Sequence, residues 1–313
     1  MTTHPPRRLR TPDDIAAHVA SVMGFHPDDS LVLLTFGSSS GFQARVALQD
    51  SDAMRADAVH QLLTAARSTR TDAVLPVLYT PDPERARQML LAVVRGFSAA
   101  GIQVLPGLRI ADGLSFELTL HHAGTVGHRL ELETHPFLAA MSAAGQSPHP
   151  SRAALVATLD ADREARREVL VALALRGDAP PDPEAANLML RRHLRCATQA
   201  NVAESVELYL VLADARGRQL VRSLLSRPAA AEHLAFWPRL VRSAPAGLIA
   251  EPLAVLGLAA WLGGNGALGW CALDRLAECA PRHPVRAFLA TRLAEAIEPS
   301  ARSLDALTEW GAP

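Results

Sequence analysis

Gly24-Phe25-His26-Pro27-Asp28-Asp29-Ser30-Leu31-Val32-Leu33-Leu34 joins a turn crowded with polar groups to an apolar run, and this junction decides the fold of the first half of the chain. Leu31 to Phe36 is continuously apolar apart from Thr35, the pattern of a strand buried on both faces. Upstream, Thr11 before Pro12 supplies an N-cap and a first helical residue. Ile15, Val19 and Val22 add an apolar stripe, so the spacing predicts a helix that ends near Gly24. Downstream, Phe42, Ala44, Val46 and Leu48 alternate with Gln43, Arg45 and Ala47, which reads as a second strand with one wetter face. Gly37 to Gly41 fits a hairpin between the two strands.

Two helix-strand units follow: Ala53 to Ser68 into Ala73 to Tyr79, then Pro83 to Ala99 into a strand over Ile102 to Ile110. Asp82 caps the second helix, with Pro83 at its first position and Gly101 past its end. Asp112-Gly113 makes a two-residue hairpin turn into Leu114 to Leu120. Pro76 cannot donate to a ladder and is expected at an edge or a bulge. Hairpins at both ends argue against an all-parallel sheet. Past Ser147-Pro148-His149-Pro150, strand-like alternation stops and Ala, Leu, Arg and Glu recur at helical spacing. The expected fold is an α/β domain over 1–150, a mixed sheet with hairpins and flanking helices, followed by an all-α helical-hairpin domain over 151–313. Breaks at 179–183, Pro228, Pro245, 263–266, Pro281 and Pro299 imply six to eight helices in antiparallel succession.

Composition narrows the chemistry. All 31 basic residues of the 313 are arginine, so a phosphate-loop, Schiff-base or pyridoxal-phosphate lysine is excluded. A formal charge of −1 and sparse aromatics give no broad electropositive or stacking surface, which makes nucleic acid an unexpected partner. The Arg7, Arg8, Arg10 and Arg191, Arg192, Arg195 clusters read as solvated surface. Cys196, Cys271 and Cys279 lack ligand-pair spacing and suit reduced thiols. No secretory signal precedes the first helix, and the longest apolar run, Leu253 to Leu262, is too short for a bilayer. The expected location is the cytoplasm, with no membrane partner.

Four blocks, Leu9 to Asp14, Gly24 to Leu34, Ser151 to Leu155 and Trp261 to Leu276, resemble the bacterial family catalogued as domain of unknown function 4192. The resemblance supplies kinship and no mechanism. It implies cysteines between the last N-terminal strand and Ser151; this chain has none there, and its segment Leu120 to Pro136 is His- and Glu-rich instead. That weakens a cysteine-based metal or redox role. Gly264, Gly269, Leu273, Leu276 and Pro281 also look like the second helix of a tetratricopeptide unit, but no second copy near 34 residues away appears, so a generic helical hairpin is the simpler reading.

Three groups of residues are candidates for function. His26, Asp28, Asp29 and Ser30 place an imidazole, two carboxylates and a hydroxyl at the mouth of a buried strand, a setting for ligand binding or acid–base work. The same residues also suit a purely structural turn, stiffened by Pro27. If Arg129 to His135 returns antiparallel to Leu114 to His121, then Glu117, His121, Glu131, Glu133 and His135 share a polar face that suits a metal, or simply a wet one. Trp261 and Trp270, near one turn, are packing residues or anchors for a partner protein. His193 and Cys196 lie one helical turn apart without a second pair, and no dinucleotide fingerprint, zincin motif or phosphate loop is present. No cofactor and no catalytic residue is assigned. The expectation is a non-catalytic adaptor or regulatory protein with a cytoplasmic protein partner, the alternative a small-molecule-binding protein or enzyme using the His26 to Ser30 turn.

Overall fold

The computed structural model describes residues 9–37, 43–121, 126–143, 147–177, 179–300, 303–307 and 310. The chain divides into two compact units, residues 1–152 with 294–297, and residues 153–293 with 298–313.

The first unit opens with helix α1 (Pro12–Met23). The Thr11 hydroxyl accepts the Asp14 N–H, the Asp14 carboxylate accepts the Thr11 N–H in return, and Gly24 closes the helix at φ 70°, where a residue without Cβ is unstrained. Strands β1 (Ser30–Gly37) and β2 (Gln43–Ala47) pair antiparallel, as expected; the hairpin assigned to 37–41 lies outside the described residues beyond Gly37. Then come α2 (Asp52–Ser68), β3 (Thr71–Tyr79), α3 (Pro83–Ala99), β4 (Gln103–Val104), β5 (Gly107–Ala111), β6 (Leu114–Leu118), β7 (His128–Arg129) and α4 (Pro136–Ala143). The sheet runs β2-β1-β3-β5-β6-β7, with β4 also on β3. Among the described residues the β3–β4 and β3–β5 pairs are parallel and the other strand pairs antiparallel, so the sheet is mixed as the hairpins implied.

One face of the sheet presents Leu31, Leu33, Val74 and Leu78 to a core completed by Leu62 and Ala66 of α2 and Met89, Val93 and Phe97 of α3. Val32, Leu34, Val77 and Tyr79 alternate with these and are buried on the opposite face. Gly96 lets α3 approach α2, because a Cβ there would stand 2.5 Å from Val59 Cγ1.

Three expectations need correction here. The strand over Ile102 to Ile110 is broken at Leu105-Pro106 into β4 and β5. This break also resolves Pro76, which sits inside a central strand and not at an edge. Pairing of β3 with β4 stops at Val74 and pairing with β5 starts at Val77, so the residue without an N–H faces the interruption. Gly107 makes room, since a Cβ on it would lie 3.1 Å from the Pro76 carbonyl oxygen. The return strand expected over Arg129 to His135 is also much shorter. Only His128 and Arg129 pair, with Ser115 and Leu114, and the chain leaves the sheet before Glu131. The Asp112-Gly113 turn is as expected, both residues at positive φ between Ala111 and Leu114.

Beyond α5 (Arg152–Ala157), the second unit holds α6 (Arg163–Arg176), α7 (Pro183–Cys196), α8 (Val202–Ala213), α9 (Ala215–Leu224), α10 (Ala230–Ser243), α11 (Ala250–Leu262), α12 (Gly266–Cys279) and α13 (Pro284–Ala294). Counting α5, this is one helix more among the described residues than the upper expectation. Asp162 caps α6 and so separates it from α5, and Asp214 ends α8 while its carboxylate caps α9. The apolar run Leu253 to Leu262 is the central helix α11, buried on every side from Pro252 onward. It forms a hairpin with α12 through Gly264 at φ 74° and the Asn265 cap. Among the described residues no helix is long and apolar enough to cross a membrane.

Candidate functional site

The His26 to Ser30 turn is held from three directions. Its backbone is tied to His149, whose carbonyl accepts the His26 N–H at 2.9 Å while its own N–H donates to Gly24 at 2.8 Å. Arg45 donates to the Asp28 carbonyl at 3.3 Å and lies over the Phe25 ring. Arg85 of α3 pairs with the Asp29 carboxylate, with Asp50 at 2.9 Å and with the Leu48 carbonyl. Asp29 adopts a φ of 36°, a conformation that Asp tolerates better than most residues. The turn is therefore a rigid wall rather than a loose loop.

That wall closes one side of a cleft of about 320 Å³. The floor lies at the carboxyl ends of the parallel pair β3 and β5, where Tyr79, Thr80 and Ile110 sit, and Asp112 of the hairpin turn and Leu132 complete the rim. Open α/β sheets place ligands outside the carboxyl ends of their parallel strands. Arg109 fixes the floor from below, donating to the Thr80 and Pro81 carbonyls while stacking 3.8 Å over Phe116.

Strand register sets the chemistry of the floor. Ser30 pairs with Tyr79, Tyr79 with Ile110, and Ile110 with Ser115, so these four side chains form one row on one face of the sheet. Ser115 donates to the His128 carbonyl at 3.3 Å. The Ser30 hydroxyl, fully buried, and the Tyr79 hydroxyl, on a residue 8% exposed, have no hydrogen-bond partner among the described residues. Burial also pushes the Tyr79 phenol well above its ordinary pKa, so it stays a neutral donor. On the rim, burial lowers the His26 pKa and favours its neutral imidazole at pH 7. The cleft thus offers a neutral imidazole, exposed carboxylates on Asp28, Asp29 and Asp112, and Tyr79 in its lining, with the buried Ser30 next to Tyr79 in the row.

A second hollow, of about 340 Å³, is lined by Thr11, Asp13, Arg129, Glu131, Thr134 and His135. Here the buried His135 and the Asp14 carboxylate it meets are already paired. His135 Nδ1 accepts the Phe137 N–H at 3.3 Å, which leaves Nε2–H to donate to Asp14 at 3.2 Å. Burial alone would raise the Asp14 pKa, but the N–H groups of Arg10 and Thr11, the Thr11 hydroxyl and His135 together hold it below the usual carboxylate range. The Glu131 N–H donates to Asp13 at 2.6 Å.

The remaining candidates are dispersed. Glu117, Glu131 and Glu133 are exposed, His121 ends the described part of its segment, and His135 is committed to Asp14. Among the described residues no three His, Cys, Asp or Glu side chains are grouped to hold a metal. His193 donates or accepts with Thr198 at 2.7 Å and faces Glu204, not Cys196. Trp261 is buried edge-on against Phe288, whereas Trp270 is 37% exposed. Sequence reasoning missed Tyr79, Thr80 and Asp112. The only local signal was Tyr79-Thr80-Pro81-Asp82-Pro83, a polar turn between a strand end and a helix cap.

The sequence model of a family described as domain of unknown function (DUF4192) matches residues 12–300. No curated protein and no solved structure matches the chain. The match reaches from the first helix of the sheet unit to beyond α13, and the chain therefore belongs to the DUF4192 family.

Proposed function

We propose that the protein is a non-catalytic regulatory adaptor of the bacterial cytoplasm, whose sheet unit senses a small polar ligand in the β3–β5 cleft and whose helical unit binds a protein partner. One observation carries the ligand half: the buried hydroxyls of Ser30 and Tyr79 lack partners among the described residues, and Tyr79 lines a cleft of about 320 Å³. A buried polar group left unpaired costs about 1–3 kcal/mol, so a ligand that supplies the missing bonds recovers that cost on binding. The partner half rests on α6, where Leu170, Val171 and Leu175 are exposed along one stripe, Leu175 to 82%. Cytoplasmic residence accords with three free cysteines.

Purification from the native host under gentle conditions, followed by native mass spectrometry, tests both halves. The expected result is a bound small molecule that is lost in Tyr79→Phe, and a protein partner lost when the exposed α6 stripe is made charged, as in Leu175→Glu. A bare chain in both preparations would refute the reading.

A second reading, an enzyme, is favoured by the neutral His26 beside Asp28, Asp29 and Asp112. Under it, His26→Ala, confirmed folded, fails to rescue a gene deletion although it still binds the ligand. Full rescue by His26→Ala excludes it.

A further inference from the structure

After α13, Ser303–Ala306 form a short 3-10 helix of the helical unit; next to it Leu307 is buried, and Trp310 is 1% exposed. The contacts that hold Leu307 and Trp310 are made to their main-chain carbonyls and to one indole N–H. Arg218 and Arg222 stand one turn apart on α9. Arg218 Nε donates to the Trp310 carbonyl and Arg222 Nη1 to the Leu307 carbonyl, each at 2.6 Å. Main-chain carbonyls three residues apart are thereby read whatever the side chains between them. The indole N–H of Trp310 donates to Glu251 Oε2 of α11 at 2.7 Å. Glu251 is itself aimed by its other oxygen, which lies 3.3 Å from His283 Nε2, while His283 Nδ1 accepts the Val285 N–H.

Each wall also packs on other helices. Helix α9 packs on α7 and α8, and α11 on α10 and α12. A preformed carboxylate for an indole N–H, two arginines for main-chain carbonyls and buried room for a Leu and a Trp constitute a peptide-recognition site, with the aromatic anchor typical of such sites. We propose that α9 and α11 form a docking groove for partner segments of the pattern Leu-x-x-Trp, and that Leu307 and Trp310 of this chain plug the groove until such a segment displaces them. The proposal deepens the adaptor role of the helical unit; a groove that binds no peptide would leave the β3–β5 cleft and the α6 face to be judged on their own tests.

The experiment uses the full chain and a fluorescent peptide with the sequence of residues 303–310. A tethered segment competes at an effective concentration in the millimolar range, so the wild type is expected to bind the peptide at least about tenfold more weakly than Trp310→Ala. Adding Glu251→Ala to Trp310→Ala is expected to remove about tenfold of the gain, and a peptide with Ala for its Trp is expected not to bind. Equal binding by wild type and Trp310→Ala, or none by a folded Trp310→Ala, overturns the proposal. If Trp310→Ala does not fold, hydrogen exchange on the wild type decides. Amides at Leu307 and Trp310 that exchange ahead of those in α11 support a displaceable plug, and exchange only with global unfolding overturns it.

Discussion

The Thr11–Asp14–His135 cluster and the Ser30–Tyr79 row belong to the same unit and treat polar groups in opposite ways. In the first, every oxygen and nitrogen named has a partner: the Asp14 carboxylate takes the Arg10 and Thr11 N–H groups and His135, and His135 takes the Phe137 N–H. In the second, Ser30 and Tyr79 are placed side by side by strand register and their hydroxyls have no partner among the described residues. Satisfied polar groups hold a fold together, whereas unsatisfied ones at a cleft cost stability that only an added molecule can return. The polar cluster with the richer hydrogen bonding is thus the structural one, and the poorer one is the candidate for function.

Several substitutions separate these roles, and the largest effect is expected where satisfaction is most complete. In the helical unit, His233 is fully buried, accepts the Trp237 indole N–H at Nδ1 and faces the Leu224 carbonyl with Nε2. Burial pushes its pKa down to about 4, against the opposing pull of the Leu224 carbonyl and the Glu232 charge. The folded state therefore keeps His233 neutral while the unfolded chain takes up a proton near its ordinary value. The stability this contributes is complete above about pH 6.5 and falls as the pH drops toward 4, by about 3 kcal/mol in all. Urea unfolding at pH 7 and pH 4.5 should show this loss in the wild type and lack it in His233→Gln; equal pH dependence in the two proteins would refute it.

Asp14→Ala comes next. It removes a capping carboxylate and strands the His135 donor, and an equilibrium destabilisation of about 2 kcal/mol is expected from urea midpoints. Because the folded pKa of Asp14 is depressed, its contribution is present above the unfolded carboxylate range and fades as the pH falls through the folded value. The smallest effect belongs to the unsatisfied row. With any ligand removed, Ser30→Ala and Tyr79→Phe should each stay within about 0.5 kcal/mol of the wild type or exceed it, since each deletes a hydroxyl without a partner. A loss of about 2 kcal/mol in either would place that hydroxyl among the structural groups.

Much of this fold was readable from local signals, and the site only in part. Thr11-Pro12, Asp82-Pro83 and Asp112-Gly113 act within three or four residues, and the elements they delimit lie where the sequence put them. The break at Leu105-Pro106 did have a local sign, Pro106-Gly107, which the apolar residues on either side outweighed in the reading of one strand; that it falls opposite Pro76, about thirty positions away, comes only from register. The split between α8 and α9 turns on a single carboxylate, Asp214, within a run of good helix formers. The His26 to Ser30 turn was visible as a polar cluster, but its partners Tyr79, Ile110 and Asp112 come from other strands through register. Conversely, parity along Leu114 to His121 invited a metal face, and the departure of the chain from the sheet after Arg129 disperses it.

The most direct test of the central claim compares the protein as purified from its host with the same sample unfolded, desalted and refolded to the same far-UV spectrum. Saturation at about a hundred times Kd adds about 2.7 kcal/mol to stability, so stripping the ligand should lower the wild-type Tm by at least about 5 °C. Tyr79→Phe should melt at one temperature before and after. Unchanged melting of the wild type, or an equal drop in both proteins, would contradict the account.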